Sequence, residues 1–376
     1  MSEIEEIKLS LVRIDAKRAY RMGGMESGGT HYTGIVTDLR TADGIHGISE
    51  IFVTRGWYAP DTPEGTIGLI KRIFAPAIMG RSVFDTEAIN VELDHQWMGN
   101  LFAKAAIDIA VHDAAAKTLG RPLCDLLGGR FRDRFEVVGG IGLETPESMA
   151  EQAAEFRERG FRTIKLKIGA PEDLQLDVSR VEAVREAVGP ELKIRVDANG
   201  VFDAPDAIAL IRRLEAFDLD HVEQPVPAHQ IDAMAEIRQS IGVRLMADES
   251  VHSIDDALRV VTAKAADVVK IKIAKCGGFR RSQRIADLCA AAGVEVVVGQ
   301  GMGTSIQALA ELHLACATSA ITPAGEFIGP DKLTDDIADV PMVLDQGVAP
   351  LPTGPGLGTD LDHEAIQQRK LSILGA

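Results

Sequence analysis

The feature that most constrains this chain is a regular alternation of short β-branched segments with amphipathic helical segments after residue 135. Eight strand-like segments recur at roughly 25-residue intervals, which is the spacing of strand and helix units in a parallel barrel. In chain order they read FEVVGGIG, RTIKLKIG, KIRVDANG, DHVEQP, VRLMADES, DVVKIKIA, VEVVVGQG and AGEFIGP. The last is followed by LTDDIADV instead of a long helix. The sequence therefore predicts an α/β fold with a TIM-like (β/α)7β barrel.

The residues before the barrel follow a different pattern. Three alternating segments, IKLSLVRIDA, TGIVTDLRT and IHGISEIFV, predict an antiparallel meander, and a helical period runs from Pro63 to Leu119. We expect residues 1–125 to form an α+β capping domain and residues 126–348 to form the barrel. The tail, residues 349–376, is rich in Gly and Pro, and we expect it to leave the barrel and complete the capping domain.

Composition excludes several classes of function. The chain has 376 residues and a formal net charge of −16, so it lacks the basic surface that nucleic-acid or anionic-lipid binding requires. The start of the sequence lacks a signal-peptide pattern, and no apolar run reaches the length of a membrane span. The four cysteines show no CxxC spacing. These features predict a cytoplasmic protein with reduced cysteines and no membrane or nucleic-acid partner.

Lysines occupy unusual positions on two of the predicted strands. Side chains alternate along a strand, so Lys165 and Lys167 in TIKLKIG share one face while the apolar residues between them face the helices. The sixth strand, VVKIKIAKCGG, places Lys270 and Lys272 on one face in the same way, with Lys275 beyond its end. We expect these lysines to face the barrel interior. A lysine directed into a pocket beside a metal and other lysines loses proton affinity and can act as a base near neutral pH.

Carboxylates follow at the ends of three successive strands. They are Asp197 in IRVDANG, Glu223 in HVEQP, and Asp248 with Glu249 in LMADES. Active sites of barrel enzymes lie at the carboxyl ends of the strands, so these acids should converge. Each acid alone fits a helix N-cap, but three converging carboxylates repel one another unless a cation neutralises them. An all-oxygen set suits Mg²⁺ or Mn²⁺.

The order of these motifs carries a family resemblance. KxK, D-x-N, E-Q-P, A-D-E-S and I-K-I-A-K-x-G-G resemble the muconate lactonizing enzyme subgroup of the mandelate racemase/muconate lactonizing enzyme family, in the enolase superfamily. NLFAKAAIDIAVHDAAAKTLGRPLCDLLGGRFRD resembles the capping-domain helices and domain junction of that subgroup. GEFIGPDKLTDDI resembles its eighth strand, and PGLG its tail. The resemblance thus covers most of the chain.

The resemblance implies a role for each motif residue. It makes Asp197, Glu223 and Asp248 the metal ligands, and it makes Glu249 a neighbour of the ligands that does not bind the ion. The position of a residue along the strand leaves Asp248 and Glu249 open as alternatives, and we prefer Asp248 because Lys272 accompanies it. Asn199 is expected beside Asp197, near the substrate.

The same resemblance places the two catalytic lysines on opposite faces of the substrate. Lys167 lies on one face and Lys272 on the other, while Lys165 supports Lys167 and the carboxylates electrostatically. Glu326, at the end of strand eight, is expected to hydrogen-bond Lys272 or to act as a second acid, and a structural role is an open alternative.

Two glycine-rich segments are candidates for substrate contacts. The segment after strand seven, GQGMGTS, is shorter than in muconate cycloisomerases and contains no histidine base. Its backbone amides, from Gly301 to Thr304, can receive a substrate carboxylate, although a tight turn without a ligand fits equally well. The segment RMGGMESGGTHY is expected to close over the substrate, with His31, Met25 and Tyr32 as candidate contacts.

These features predict an isomerase that transfers the proton next to a substrate carboxylate through an enediolate. The favoured reaction is lactonization like that of muconate cycloisomerases. N-acyl amino acid racemisation, dipeptide epimerisation and acid dehydration remain alternatives, although GEFIGPD lacks the D-x-D of dipeptide epimerases. A non-catalytic metal-binding scaffold on the same fold is an alternative of another class. The family resemblance and the alanine-rich helices also suggest a homo-oligomer, with an octamer as one form. The expected ligand is a small carboxylate substrate.

Overall fold

The computed structural model describes residues 2–23, 29–52, 62–300 and 302–372. Its first part is an antiparallel sheet of three strands in the order β1-β2-β3, which confirms the predicted meander. Alternate residues such as Leu11 and Ile35, which are register partners, are buried on one face. The strands are β1 (Ile4–Tyr20), β2 (Gly29–Thr41) and β3 (His46–Phe52).

Four α-helices follow this sheet in the chain, and the longest of them joins it to the barrel. Gly47 on β3 has no side chain because a Cβ there would lie 2.1 Å from the carbonyl oxygen of Ala110 in α4. On the barrel side, the carboxylate of Asp108 accepts a hydrogen bond of 2.7 Å from the backbone amide of Phe279. The helices are α1 (Pro63–Leu69), α2 (Ala75–Ile78), α3 (Thr86–Gln96) and α4 (Leu101–Thr118).

The alanine-rich helix α4 is buried along most of its length within one chain. Its apolar surface is used between the sheet and the barrel, so it gives no support to the expected homo-oligomer, which stays a prediction. None of the helices in the described ranges has the length and apolarity that crossing a membrane requires.

A parallel sheet of seven strands forms the second part of the chain, as the sequence predicts, and it runs in the order β11-β10-β9-β8-β7-β6-β5. It follows a short strand, β4 (Arg134–Glu136). The seven strands are β5 (Gly139–Ile141), β6 (Thr163–Lys167), β7 (Lys193–Asp197), β8 (Leu219–Glu223), β9 (Leu245–Ala247), β10 (Val268–Ile271) and β11 (Glu295–Val298).

The eighth predicted strand closes this sheet through isolated bridges instead of a regular strand. Glu326 bridges Gly299 after β11, and Gly325 bridges Val137 just before β5. Both bridges are parallel, so the segment completes a barrel between the first and seventh strands. The predicted (β/α)7β architecture is confirmed, and the eighth element is shorter than AGEFIGP suggested.

Helices connect the strands and cover the barrel. Several begin at the polar residues that favour N-caps: Thr145, Asp173, Asp203 and Ser253 each accept a hydrogen bond from a backbone amide of the first turn. The helices are α5 (Pro146–Glu158), α6 (Leu174–Val188), α7 (Ala204–Leu214), α8 (Ile231–Ser240), α9 (Ile254–Thr262), α10 (Ile273–Cys276), α11 (Phe279–Ala291), α12 (Ser305–Ala317), α13 (Gly329–Lys332) and α14 (His363–Arg369).

The tail contacts both parts of the chain. Strand β12 (Val348–Pro350) pairs antiparallel with β4 at the start of the barrel. Further on, the backbone amide of Leu371 donates to the carbonyl of Leu11 on β1 over 2.8 Å. The tail therefore runs from the barrel back to the capping sheet.

Apolar residues fill the outer shell of the barrel, whereas its interior is mostly polar. Ile164, Leu166, Ile194 and Val196 belong to the continuous core between strands and helices. A separate small cluster, consisting of Met246, Val268 and Val297, lies on the opposite strand faces inside the barrel. The remaining interior positions carry the charged residues that form the candidate site.

Asp113 on α4 joins three parts of the chain through one buried carboxylate. It accepts hydrogen bonds from the backbone amides of Ile48 at 2.9 Å and Leu357 at 2.7 Å, and it pairs with Lys117 at 2.9 Å. Asp113→Ala leaves these donors without an acceptor, so we expect the free energy of unfolding to fall by about 2–4 kcal/mol in urea titrations.

The matched control is Asp360→Ala, which removes the exposed second partner of Lys117. We expect that change to cost no more than about 1 kcal/mol. Equal losses for the two variants would refute the role given to Asp113.

Candidate active site

Two lysines of β6 enter the barrel interior, as the alternation of residues predicts. Lys165 and Lys167 are both more than nine-tenths buried, although ammonium groups normally stay in water. In the register of the sheet, Lys165 lies beside Arg195 and Lys167 beside Asp197. Each lysine therefore has charged neighbours on the next strand.

The three predicted acids lie at adjacent strand ends. Asp197 ends β7 and is the register partner of Glu223, which ends β8. Glu223 is in turn the partner of Met246 on β9, and Asp248 follows two residues later, on the same side of the strand. Each of the three carboxylates is at most 1% exposed. The structure thus places them in one row along the carboxyl edge of the sheet.

Lysines from both sides contact this row. The ammonium of Lys167 lies 2.5 Å from the Asp197 carboxylate, and that of Lys165 lies 3.1 Å from Glu223. On the other side, Lys270 contacts Glu223 at 3.0 Å and Lys272 contacts Asp248 at 2.5 Å. Each acid of the row is therefore paired with at least one buried cation.

Lys275 lies just beyond β10 and has a different environment. Its ammonium donates to the Asp248 carboxylate at 2.8 Å, to the Asp248 carbonyl at 2.6 Å and to the Lys270 carbonyl at 3.0 Å. Three acceptors satisfy all three of its protons. We infer that Lys275 fixes the position of Asp248.

Glu326 reaches the same interior from the eighth segment, but its partners differ from the prediction. Its carboxylate accepts hydrogen bonds from Lys165 and Lys270, and it lies 3.6 Å from Arg195. The expected hydrogen bond to Lys272 is therefore replaced by bonds to the inner lysines. The bridge between Glu326 and Gly299 explains this, because it holds the backbone beside β11, where Lys270 is the nearest ammonium.

The charges shift the pKa values of the acids in opposite directions. Burial alone would raise the pKa of Asp197, but Lys167 and Lys165 bring it below its ordinary value. Burial and the negative charge of Asp197 raise the pKa of Glu223 to about 8. Glu223 therefore holds its proton more tightly than a solvent-exposed glutamate does.

Burial and neighbouring charges shift the pKa values of the lysines in different directions. Burial lowers the pKa of Lys270. Burial also lowers the pKa of Lys167, but Asp197, Tyr20 and Glu223 together outweigh that effect and raise the pKa above its ordinary value. The carboxylate of Asp197 lies in direct contact with the ammonium of Lys167, so the expected loss of proton affinity beside a metal stays a prediction for this lysine.

These residues fit a divalent cation. The acids supply only oxygen donors, which suit Mg²⁺ or Mn²⁺, and all three are buried at the ends of adjacent strands. Beside them, Oε2 of Glu249 is buried and has no hydrogen-bond partner among the described residues. Asp197, Glu223 and Asp248 are the residues that would hold such an ion.

A second group of possible ligands lies deeper in the barrel. Within the described ranges, one set of three ligand atoms lies within 4.8 Å of one another, from His221, Glu223 and Glu326. Lys165 and Lys270 contact both glutamates of this set. This set includes an imidazole nitrogen, whereas Asp197, Glu223 and Asp248 offer only the oxygen donors that Mg²⁺ and Mn²⁺ prefer, so we expect the metal at the three acids.

Asn199 forms hydrogen bonds with both Lys167 and Glu249. Its Oδ1 accepts a hydrogen bond of 2.8 Å from Lys167, and its Nδ2 donates one of 3.0 Å to Glu249. Asn199 has a positive φ of 49°, a conformation that asparagine tolerates better than most residues. The structure thus brings Asn199 and Glu249 to the site at which the sequence places them. Burial and the neighbouring Asp248 raise the pKa of Glu249.

The loop after β11 receives a carboxylate, but that carboxylate belongs to the protein. The backbone amide and the hydroxyl of Thr304 both donate to Glu50 of the capping domain, at 3.1 Å and 2.6 Å. Glu50 also accepts from the amide of Gln307 at 3.2 Å and from the hydroxyl of Tyr32 at 2.6 Å. Thr304 and Tyr32 therefore do not offer these groups to a substrate, because Glu50 satisfies them.

The remaining predicted contacts lie at the edge of the described structure. His31 is exposed on β2, opposite Asp15. Gly301 and Met25 lie outside the described residues. The roles of these residues in binding stay predictions.

The sequence analysis did not identify Arg195 and His221, which lie in the barrel interior two residues before Asp197 and Glu223 on their strands. Arg195 donates to Asp220 at 2.9 Å and to the carbonyl of Ala324 at 3.0 Å. His221 is its register partner and is fully enclosed, and burial lowers its pKa well below the ordinary value. Strand alternation places both residues on the same face as Asp197 and Glu223, so this signal was present in the sequence.

Comparison with known proteins agrees with this geometry. Residues 148–365 match the profile of an enolase C-terminal domain-like family. Residues 23–128 match the mandelate racemase/muconate lactonizing enzyme N-terminal domain. The chain belongs to the mandelate racemase/muconate lactonizing enzyme family. The two profiles cover both the capping sheet and the barrel that carries the site.

Relatives within the family catalyse different isomerisations. The chain is 35% identical to the N-succinyl-L-Arg/Lys racemase of Bacillus cereus, over 89% of each chain. It is also 35% identical to the chloromuconate cycloisomerase of Cupriavidus pinatubonensis, over 91% of this chain and 92% of that one. The crystal structure of 2-chloromuconate cycloisomerase from Rhodococcus opacus superposes with a TM-score of 0.94 at 28% identity, over 98% and 100% of the chains. These relatives are isomerases. Sequence identity is the same to the racemase and to the chloromuconate cycloisomerase, so it does not distinguish the two reactions.

The two possible ligand sets give a test by metal binding. We expect chelator-treated protein to bind one Mn²⁺ per chain, measured by electron paramagnetic resonance, and Asp248→Asn to weaken binding at least about tenfold because it removes a charged oxygen donor. His221→Gln is the matched control, since it removes a possible ligand of the deeper set.

The reverse ranking of these two variants would move the metal to the set of His221, Glu223 and Glu326. Glu249→Gln tests the alternative third ligand in the same titration. A greater loss for Glu249→Gln than for Asp248→Asn would show that Glu249 is the ligand. Circular dichroism of each variant checks that the barrel is folded.

Proposed function

We propose that this protein is a metal-dependent isomerase that transfers the proton on the carbon next to a substrate carboxylate, through an enediolate. Within that chemistry we propose lactonization of an unsaturated dicarboxylate, as in muconate cycloisomerases. The proposal is supported by two buried lysines and a row of oxygen ligands in the interior of one barrel.

The observation that carries the proposal is the placement of Lys167 and Lys272. Lys167 ends β6, and Lys272 follows β10, which lies four strands further along the sheet. Four strands in an eight-membered barrel correspond to half of its circumference, so the two lysines approach the interior from opposite sides. The acids on β7, β8 and β9 lie between them. A planar substrate above these acids would present one face to each lysine.

A divalent cation among Asp197, Glu223 and Asp248 would bind the substrate carboxylate and stabilise negative charge on its oxygens. The chain itself supplies the proton transfer. For lactonization, an oxygen of the second substrate carboxylate adds to the carbon–carbon double bond, whose electrons move to the carbon next to the first carboxylate. Lys167 then delivers a proton to that carbon, and Lys272 acts as a cation beside the enolate. Asn199 holds the ammonium of Lys167 in place through its hydrogen bond.

Racemisation of an N-acyl amino acid is the second candidate function. It is favoured by the 35% identity to the N-succinyl-L-Arg/Lys racemase, which equals the identity to the cycloisomerase. In that reaction one lysine removes the proton from one face and the other lysine returns a proton to the opposite face. Dipeptide epimerisation is less favoured, because GEFIGPD lacks a D-x-D motif for a substrate amine.

A binding scaffold without catalysis would not explain the buried lysines. Lys167 and Lys272 are both at least 94% buried, and burial of an ammonium is costly unless it is compensated. A scaffold that only held a metal would be expected to have apolar or neutral residues at these positions.

The two lysines can be tested separately by proton exchange in D₂O with Mg²⁺, followed by NMR. For a cycloisomerase, we expect Lys167→Ala to remove lactonization and α-proton exchange together, and Lys272→Ala to slow both without changing which face exchanges. For a racemase, each variant should lose exchange for one enantiomer only. A general base reaches only protons within hydrogen-bonding distance, so each lysine can exchange the proton on its own face of the substrate only.

Lys193→Ala is the matched control, because Lys193 is an exposed lysine at the opposite end of a barrel strand. It should exchange at the rate of the unmodified protein. If both lysine variants also retained that rate, neither lysine would be the base and the proposed mechanism would be wrong. Urea unfolding of each variant separates loss of chemistry from loss of fold.

A further inference from the structure

A tyrosine and a lysine outside the predicted site meet at the mouth of the barrel. Tyr20 ends β1 of the capping domain, and Lys332 ends α13 after the eighth segment. The Nζ of Lys332 lies 3.8 Å from the centre of the Tyr20 ring, a short cation–π contact. Segments more than 300 residues apart in the chain therefore supply one polar pair.

This pair lies over β5, on the inner side of the barrel. Gly140 on β5 is the register partner of Lys165, so the two residues face the same way. A Cβ on Gly140 would lie 2.8 Å from Nζ of Lys332 and 3.5 Å from the hydroxyl of Tyr20. The absence of a side chain at Gly140 thus makes room for both polar groups beside the inner lysines.

Lys332 has no acid to balance its charge among the described residues. Ion pairs within 4 Å account for every other buried or half-buried lysine of the site: Lys165, Lys167, Lys270, Lys272 and Lys275. The adjacent carboxylate of Asp331 is bound by Arg159 at 2.7 Å. The ammonium of Lys332 contacts the Tyr20 ring and faces a region that already contains other lysines.

The pKa shifts agree with an excess of positive charge. Burial lowers the pKa of Lys332, and Lys165 and Lys167 lower it further. Burial alone would raise the pKa of Tyr20, but Lys332 and Lys167 bring it below its ordinary value. Both shifts indicate a place where an added negative charge is stabilised.

We propose that Tyr20 and Lys332 form a second carboxylate-binding subsite, so that the substrate is a dicarboxylate whose far carboxylate binds here. The inference rests on the proposed function, which accounts for the first carboxylate at the acids of β7, β8 and β9. The Tyr20 hydroxyl and the Lys332 ammonium both donate hydrogen bonds, and neither is engaged by a carboxylate of the chain within the described ranges. A free substrate amine would be repelled at the same place.

The test compares ligands that differ only in the second carboxylate. Adipate and pimelate are compared with hexanoate and heptanoate, which have the same chain lengths, by calorimetry on Mg²⁺-loaded protein at fixed ionic strength. We expect the unmodified protein to bind the dicarboxylates about 10- to 100-fold more tightly, which is the range for a hydrogen bond to a charged group. Lys332→Met should remove most of that preference.

Two further variants keep the test decisive if Lys332→Met fails to fold. Tyr20→Phe removes only the hydroxyl, and Gly140→Ala retains both charges but displaces the ammonium. Each should reduce the preference. Lys17→Met is the matched control, because exposed Lys17 contacts the carbonyl of Asp331, next to Lys332, and lies outside the site. It should keep the full preference.

Equal binding of both ligand classes by the unmodified protein would overturn the proposal, as would a preference that survives in Lys332→Met. The same samples in D₂O report α-proton exchange. Absence of exchange with every carboxylic acid would count against the proposed function, whereas the calorimetric preference decides the subsite independently of turnover.

Discussion

Charge balance inside the barrel is the constraint on which the rest of the site depends. An uncompensated ion in a protein interior costs several kcal/mol, so every interior charge needs a neighbour of opposite sign. Six cations and six carboxylates lie in this interior, four of the carboxylates buried and two half-buried. They are Lys165, Lys167, Arg195, Lys270, Lys272 and Lys275, with Asp197, Asp220, Glu223, Asp248, Glu249 and Glu326. Removal of any one partner leaves a charge that the interior cannot solvate.

This balance explains which parts of the site the sequence could predict. Strand alternation is a local property, and it correctly indicated that Lys165, Lys167 and Lys272 leave the helical shell. The strand-end positions of Asp197 and Glu223 follow from the same pattern, because parallel strands end at one edge of the sheet. Fold class and most of the interior residues were therefore predictable from sequence.

The pairing of these residues was not predictable in the same way. Glu326 contacts Lys165 and Lys270 because its backbone forms a β-bridge with Gly299. The local sequence around Glu326 does not indicate that bridge. Thr304 was expected to face a substrate, but it binds Glu50, which is 254 residues away in the chain. Contacts over such separations depend on how the capping domain packs against the barrel, and a single sequence does not contain that information.

The capping domain also explains how one barrel can serve different substrates. The acids and lysines of the strand ends are held by mutual ion pairs, so a change there disturbs the whole interior. Tyr20 and Lys332 lie outside that network, at the end of a capping strand and of a short helix. A substitution at either position leaves the interior pairs intact. Substrate preference can therefore change without loss of the residues that transfer the proton.

The interior charge balance also links metal and substrate binding. A divalent cation alone would add two positive charges to a poorly solvated space that already holds six paired cations and Lys332, which has no acidic partner among the described residues. A substrate with two carboxylates brings two negative charges, one near the cation and one near Lys332. The two ligands together add no net charge, whereas either ligand alone would add two charges of one sign. This argument favours cooperative binding of cation and dianion, in which each ligand raises the affinity for the other by the same factor.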